Sequence, residues 1–256
     1  MIINMQGKPK KLMRKIKLRH FNKFLFNKVN LEVYRFDQSP NLQGFLKYLQ
    51  KAGIDFENVY DVGAHKGDWT KSISKILANA KFFLFEPNQI HNDSLNSTGF
   101  PIFNYLLGQH DGQKVEFYAA GQTGDSFLRE NNPIYNDSVK QEMLIHSLDS
   151  VQVNEKLPLP DLLKLDTQGS ELLILRGAEH ILSNVSVIVI ELPVTKMNIG
   201  APSFSEVVNF LQDHDFVPIQ IVEIHRLIDI LVQVDIAFMS RRIFIETFGH
   251  DDIYHR

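Results

Sequence analysis

The chain contains no cysteine. That excludes disulfides, cysteine-ligated zinc, iron–sulfur clusters and a thiol nucleophile, and leaves histidines and carboxylates as the side chains able to bind a metal. Long apolar runs are also missing. No stretch approaches the ~18 uninterrupted apolar residues of a membrane-spanning helix. The longest candidate, Val185 to Ile190, stops at Glu191. Lys and Arg interrupt every apolar run before Phe21, so a signal peptide is not expected and a cytoplasmic location is. There is no internal repeat and no low-complexity tract. With 256 residues, 44% of them hydrophobic, the chain can bury a sizeable core, and one domain of roughly 200 to 250 residues is the simplest reading.

The net charge of -3 hides an asymmetry. Residues 1–31 hold nine basic side chains and no acid, so the remaining 225 residues carry 18 basic against 30 acidic groups. Residues 1–40 therefore read as a basic N-terminal arm, expected to be helical. Between Lys8 and Lys28, apolar residues interleave with the charges. That pattern fits either peripheral contact with anionic lipid or packing onto the body or a second subunit. The acidic body disfavours a surface that tracks nucleic-acid phosphates, so no nucleic-acid partner is expected.

After Pro40 the pattern changes. Leu42, Phe45, Leu46 and Leu49 fall at helical spacing and Gly53 ends the run. Strands and helices then alternate. Strands are expected at Val59–Val62, Lys81–Phe85, Ile102–Leu107, Leu162–Leu165 and Val187–Ile190. Helices are expected at Asp68–Leu77, Asn88–Ser97, Glu171–Leu182 and Phe204–Asp213. Between the two halves, Val115, Phe117 and Ala119 alternate as in a hairpin. Gly121–Asp137 reads as a long loop, a length that is often functional, and Met143–Leu148 as another strand. Phe216–Ile224 and Leu227–Met239 read as two closing antiparallel strands, followed by a tail over residues 241–256. This order argues for an α/β sandwich around a mostly parallel sheet, with ligands bound beyond the carboxyl ends of the strands.

The chemistry-bearing residues sit at those ends. The first strand runs into Asp61-Val62-Gly63-Ala64-His65-Lys66-Gly67. Glycines there let a ligand approach the backbone, and a tight structural turn would need the same glycines. The pattern is not G-x-G-x-x-G, which counts against a dinucleotide pyrophosphate site. The second strand ends in Phe85-Glu86-Pro87. Its carboxylate is placed either to accept from ribose hydroxyls or to cap the following helix. The glycine turn and Glu86 together point to an adenosine-containing ligand, with S-adenosylmethionine (SAM) and NAD both open. Asp166 ends the strand at Leu162–Leu165 and Glu191 ends the next. Asp166 could instead cap the helix that starts near Gly169. The two acids could bind a hard cation if waters or substrate oxygens completed its shell, or one could act as a base. The base is the favoured reading, and no metal ligand set is assigned. Of the histidines His65, His110 and His146, His65 is the best placed for a direct role, and His146 reads as structural.

These segments resemble the FkbM-type methyltransferases. The resemblance rests on Asp61 to Gly67, Phe85-Glu86-Pro87, Ser147-Leu148-Asp149 and Leu163-Lys164-Leu165-Asp166-Thr167-Gln168-Gly169-Ser170-Glu171-Leu172. Leu175-Arg176-Gly177-Ala178, Ile188 to Glu191 and Gln233 to Phe238 continue it in the same order. It covers residues 42 to 240, roughly the domain 41–240. It implies a class I methyltransferase (Rossmann-like) sandwich with a mostly parallel seven-stranded sheet and an antiparallel final strand. It implies SAM as cofactor and transfer to an oxygen of a carbohydrate or other small metabolite. Carried over by position, Asp61, Gly63, Ala64, His65, Gly67, Glu86, Pro87 and Asp166 would hold SAM. Asp166, Glu191 and His65 are the catalytic candidates. The family usually has Asn where His65 stands. An NAD-linked oxidoreductase and a non-catalytic SAM-binding module are the alternatives.

Overall fold

The computed structural model describes residues 41–119, 125–129, 139–195 and 197–249. The basic arm, its contact region over residues 8–28 and most of the loop expected over Gly121–Asp137 lie outside them. Among the described residues, no helix is long and apolar enough to cross a membrane.

The body begins with α1 (Leu42–Lys51), capped by the Asn41 side chain, which accepts from the Gly44 amide. Its Phe45, Leu46 and Leu49 are buried, the face the spacing predicts. Next come β1 (Asn58–Val62), α2 (Asp68–Ile73) and β2 (Lys81–Phe85), followed by a 3-10 turn at Gln89–His91, α3 (Asn92–Asn96) and β3 (Ile102–Phe103). Three strands, β4 (Leu106–Leu107), β5 (Lys114–Ala119) and β6 (Val139–His146), form a small second sheet in the order β4-β6-β5. The chain continues through α4 (Leu148–Asn154), β7 (Leu162–Leu165), α5 (Glu171–Arg176), α6 (Glu179–Leu182) and β8 (Val187–Pro193). It closes with α7 (Phe204–Asp213), the hairpin β9 (Phe216–Leu227) and β10 (Ile230–Ser240), and α8 (Arg241–Phe248).

The main sheet has seven strands in the order β3-β2-β1-β7-β8-β10-β9. β10 alone runs against the direction of the other six strands, the topology expected for a class I methyltransferase sandwich. Chain order reverses between β1 and β7, which leaves a crevice beyond their carboxyl ends. β7 and β8 lie near the middle of the sheet, covered on both faces, which is why their sequences are near-continuous apolar runs. Lys164 is the exception inside β7, and it is buried with the rest of the strand.

Four expectations are corrected. The strand read as Ile102–Leu107 divides between the two sheets. At the division Asn104 Nδ2 turns in to donate to the Glu86 carbonyl (2.7 Å) and to Asn92 Oδ1 (3.0 Å). The strand read as Met143–Leu148 ends at His146, because Ser147 caps α4 through the Ser150 amide. The helix read as Glu171–Leu182 breaks at Gly177. Its carbonyl accepts from the Asp149 amide (3.0 Å), and a Cβ there would lie 2.2 Å from the Gly108 carbonyl oxygen. Asp149 then accepts from the amides of His180 and Ile181, restarting the helix as α6. Finally, the tail expected from residue 241 begins as α8, whose Ile243, Phe244 and Phe248 pack on the core.

Candidate active site

β1 ends in a turn that only glycine can make. Gly63 sits at φ +77°, its amide and that of Ala64 donate to the Phe85 carbonyl, and a Cβ would lie 1.9 Å from the Asp166 carbonyl oxygen. The tips of β1, β2 and β7 are therefore in backbone contact at one point. Around that point lies a cavity of about 440 Å³, lined in part by Gly63, His65, Glu86, Pro87, Asp166 and Glu191.

Lys164 ties the tips together from below. Its Nζ lies 3.2 Å from Asp61 Oδ1 and 3.3 Å from Asp166 Oδ2, and donates to the Gly63 carbonyl at 3.1 Å. Asp61 Oδ2 also accepts from Thr70 Oγ1 at 2.5 Å. Burial alone would strip the Lys164 proton, but Asp166 and Asp61 outweigh it and push its pKa up. Burial likewise raises Asp166, yet Lys164 and its hydrogen bonds hold the carboxyl below its usual range. The result is an ionised Asp166 at the cavity wall.

Glu191 is the opposite case. Burial first, then the charges of Asp166, Asp235 and Glu171, push its pKa well up, so it is a neutral acid near pH 7. Gln168 joins the two acids, donating through Nε2 to Asp166 Oδ1 (3.1 Å) and Glu191 Oε2 (2.8 Å). Glu171 Oε1 holds the turn between them by accepting from the amides of Thr167 and Gly169. Asp166 therefore does not cap α5, and its side chain is free to face the cavity.

On the other side, Glu86 accepts from the His65 and Asn88 amides, each at 2.9 Å. Burial raises its pKa to about 7 against those two hydrogen bonds. Between about pH 4.5 and 7 the folded state thus holds a proton that the unfolded chain releases, and without ligand this group costs stability as pH rises through that window. The His65 ring packs 4.2 Å from that of His91, and burial, then His91, lower its pKa, leaving it neutral near pH 7. Its Nε2 is buried without a hydrogen-bond partner. Residues 125–127 cover this half: Asp125 Oδ2 accepts from Asn88 Nδ2 (2.5 Å) and lies 3.6 Å from His91 Nε2. Ser126 Oγ donates to the Gln168 carbonyl at 3.1 Å.

The arrangement is a strand-tip crevice with the Gly63 turn on one side, the Glu86 carboxylate bonded to the amide of His65, 21 residues before it, and two carboxyl groups at the far wall. A model of the methyltransferase FkbM domain matches residues 61–218, more than half of the chain and all three strand tips. The chain belongs to the FkbM methyltransferase family. It is similar to the hexuronic acid methyltransferase AglP of Haloferax volcanii, 24% identical over 199 residues, covering 73% of this chain and 80% of that protein. Solved structures with a similar fold include magnesium protoporphyrin IX methyltransferase (ChlM) of Synechocystis with bound SAM. It shares 9% identity over 80% of this chain and 86% of that one, with a TM-score of 0.43. A SAM-dependent methyltransferase of Aquifex aeolicus shares 14% identity over 76% and 88%, with a TM-score of 0.39.

Membership in the FkbM family makes SAM the expected methyl donor, and the crevice fits it. Gly63 lines the cavity without a side chain, and the Glu86 carboxylate stands on the same wall. Not every residue read as cofactor-binding reaches the cavity. Gly63, His65, Glu86, Pro87 and Asp166 line it. Asp61 is wholly buried behind the turn as the partner of Lys164 and Thr70. Gly67 faces α3, where a Cβ would lie 2.7 Å from Thr98 Cγ2, and Ala64 is buried in the core. His146, read as structural, packs at the end of β6 against Tyr105.

Several residues went unassigned in the sequence reading: Lys164, Gln168, Asp125, His91, His225 and Asp235. A lysine inside the otherwise apolar Leu162–Leu165 was a usable signal, because an unpaired ammonium has no place in a covered strand. For His225 and Asp235 there was none, because they reach the site through the closing hairpin. His225 Nε2 lies 3.0 Å from Asp235 Oδ1.

Proposed function

We propose that this FkbM-family protein methylates a hydroxyl oxygen of a carbohydrate or other small metabolite, using SAM. The observation that carries this reading is the Asp166 carboxyl on the cavity wall, held by Lys164 and Gln168 beside the Gly63 turn. The similarity to a hexuronic acid methyltransferase supports a carbohydrate acceptor. The lining itself favours a neutral hydroxyl over a sugar carboxylate. Among the described residues it carries Glu86, Asp125, Asp166 and Glu191, and its basic side chains are His65 and His225. An anionic acceptor would meet the ionised Asp166.

When bound in this crevice, SAM would supply a methyl group already activated by its positive sulfur, for transfer to the acceptor oxygen. Glu86 and the Gly63 turn, which line the same side of the cavity, would hold it, Glu86 through the ribose hydroxyls. Asp166 orients the acceptor hydroxyl and takes its proton. Glu191, neutral, donates to the same oxygen or to Asp166. His65 forms a neutral wall of the cofactor half beside Glu86. Alignment of this kind is worth effective molarities on the order of 10⁵ to 10⁸ M, and the base about 10² to 10⁴ in rate.

The test is transfer of tritium from methyl-labelled SAM to a panel of neutral sugars and hexuronates. Label in a base-stable ether is expected, with Asp166→Asn slowing transfer by about 10² to 10⁴. Label appearing only in base-labile esters of hexuronates would overturn the hydroxyl reading. Bound SAM with no transfer to any acceptor would favour a non-catalytic module.

A further inference from the structure

Glu191 on β8 and Asp235 on β10 stand directly opposite each other across an antiparallel pair. Side chains at such positions share a face, and like charges there repel. His225 on β9 joins them. It pairs with Gln233, two residues before Asp235 on β10, and its Nε2 lies 3.0 Å from Asp235 Oδ1 and 3.9 Å from Glu191 Oε1. One ligand atom from each of the three side chains lies within 4.8 Å of the other two. The Glu191 side chain is only 10% exposed. Its Oε2 accepts from Gln168, while its Oε1 faces His225 beyond hydrogen-bond distance. Glu191 and His225 both line the cavity.

We propose that Glu191, His225 and Asp235 form a binding site for a divalent cation of the Mn²⁺ type, open to the acceptor side of the cavity. A cation bound between the two carboxyl groups would take the place of the Glu191 proton, and the buried ammonium nearby, Lys164, is committed to Asp61 and Asp166. Two carboxylate oxygens and an imidazole suit Mn²⁺ or Fe²⁺, whereas Mg²⁺ prefers oxygen alone. Separations of 3.0 and 3.9 Å are those of ligand atoms about 2.1 to 2.3 Å from a common centre. Three ligands leave positions open toward the cavity for hydroxyl oxygens of an acceptor. A cation there would orient such a hydroxyl and make it more acidic. That use rests on the proposed O-methylation, but the binding itself does not.

The experiment uses full-length protein stripped with a chelator and titrated with Mn²⁺, read by calorimetry and by the loss of the free-Mn²⁺ paramagnetic resonance signal. One saturable site per chain is expected, weakened at least about tenfold in both Asp235→Asn and His225→Gln. Without Mn²⁺, Asp235→Asn should melt at or above the wild-type temperature, because a largely buried carboxylate near the charge of Asp166 is gone, which also shows that the variant folds. Mn²⁺ should raise the melting temperature of the wild type and not of the variant. Absence of saturable binding by the wild type, or variants that bind as the wild type does, would overturn the site. S-adenosylhomocysteine is titrated in parallel. Its binding without Mn²⁺ binding removes the cation site and leaves the methyltransferase reading standing, and the reverse result does the opposite.

Discussion

Lys164→Met is expected to lower the free energy of unfolding by about 3 to 5 kcal/mol, the cost of leaving buried carboxylates without their cation. Met matches the length of the side chain, so the loss reports charge rather than volume. The ammonium touches Asp61, which is wholly buried, Asp166 and the Gly63 carbonyl, so its removal leaves three acceptors facing one another. Urea unfolding of variant and wild type measures the difference. The pH dependence carries the sign. Asp166 is held below its ordinary value when folded, so its contribution is present above the unfolded value and is lost as pH falls through the folded one. Lys164 is held above its ordinary value, so its contribution is complete below about pH 10.5 and is lost only as pH rises beyond it. The deficit of the variant should therefore be flat across neutral pH and shrink in acid as the freed carboxylates protonate. A deficit below about 1 kcal/mol at pH 7 would mean that the ion pair is not formed in solution.

Gly63→Ala should be nearly as damaging. An L-residue at positive φ costs about 1 to 2 kcal/mol, and forcing apart packed neighbours about 1 to 3 more. Here the neighbour is the Asp166 carbonyl oxygen, 1.9 Å from the added carbon, and backbone cannot rotate away as a side chain can. Moving it separates β1 from β7 at the cofactor crevice, so loss of S-adenosylhomocysteine binding should accompany the loss of stability. Gly53→Ala is the control. It has a similar φ, +88°, but a Cβ there meets nothing within 4 Å. Chemical unfolding should show Gly53→Ala losing only the backbone part, about 1 to 2 kcal/mol. Equal losses for the two variants would show that the contact with Asp166 is not what fixes glycine at position 63.

The sheet was legible because its strands are written as separate apolar blocks, each followed by a charged or glycine-containing turn. That same punctuation placed Glu86, Asp166 and Glu191 just past strand ends; the structure brings all three around one cavity, but extends β8 to Pro193 and so keeps Glu191 inside the strand, paired with Asp235. What the sequence hid depends on long-range contacts. Nothing local to Gly177 shows that the Gly108 backbone will press against it, so one helix was read where there are two. Nothing local to Asn104 shows that it will turn in to the Glu86 carbonyl and end β3. The closing hairpin is the sharpest case. Its register shifts between Leu231 and Gln233 and again between Asp235 and Ile236. A one-residue slip moves every side chain to the other face of a sheet. Whether His225 and Asp235 meet Glu191 is thus decided by irregularities of pairing that no alternation of residue types encodes. Asp61 is the converse. It was read as a ligand contact because it opens the glycine turn, but the structure buries it behind that turn, where it fixes Lys164.

SAM is proposed to bind in the crevice at the tips of β1, β2 and β7 through Glu86. Calorimetric titration of S-adenosylhomocysteine into the full-length protein and Glu86→Ala, at pH 8 and pH 6, tests it directly. One saturable site is expected in the wild type, tighter at pH 8, where Glu86 is ionised and would accept from the ribose hydroxyls. Glu86→Ala should bind more weakly by roughly 1.5 to 3 kcal/mol and lose most of the pH dependence. No binding at either pH, or a variant with wild-type affinity, would contradict it.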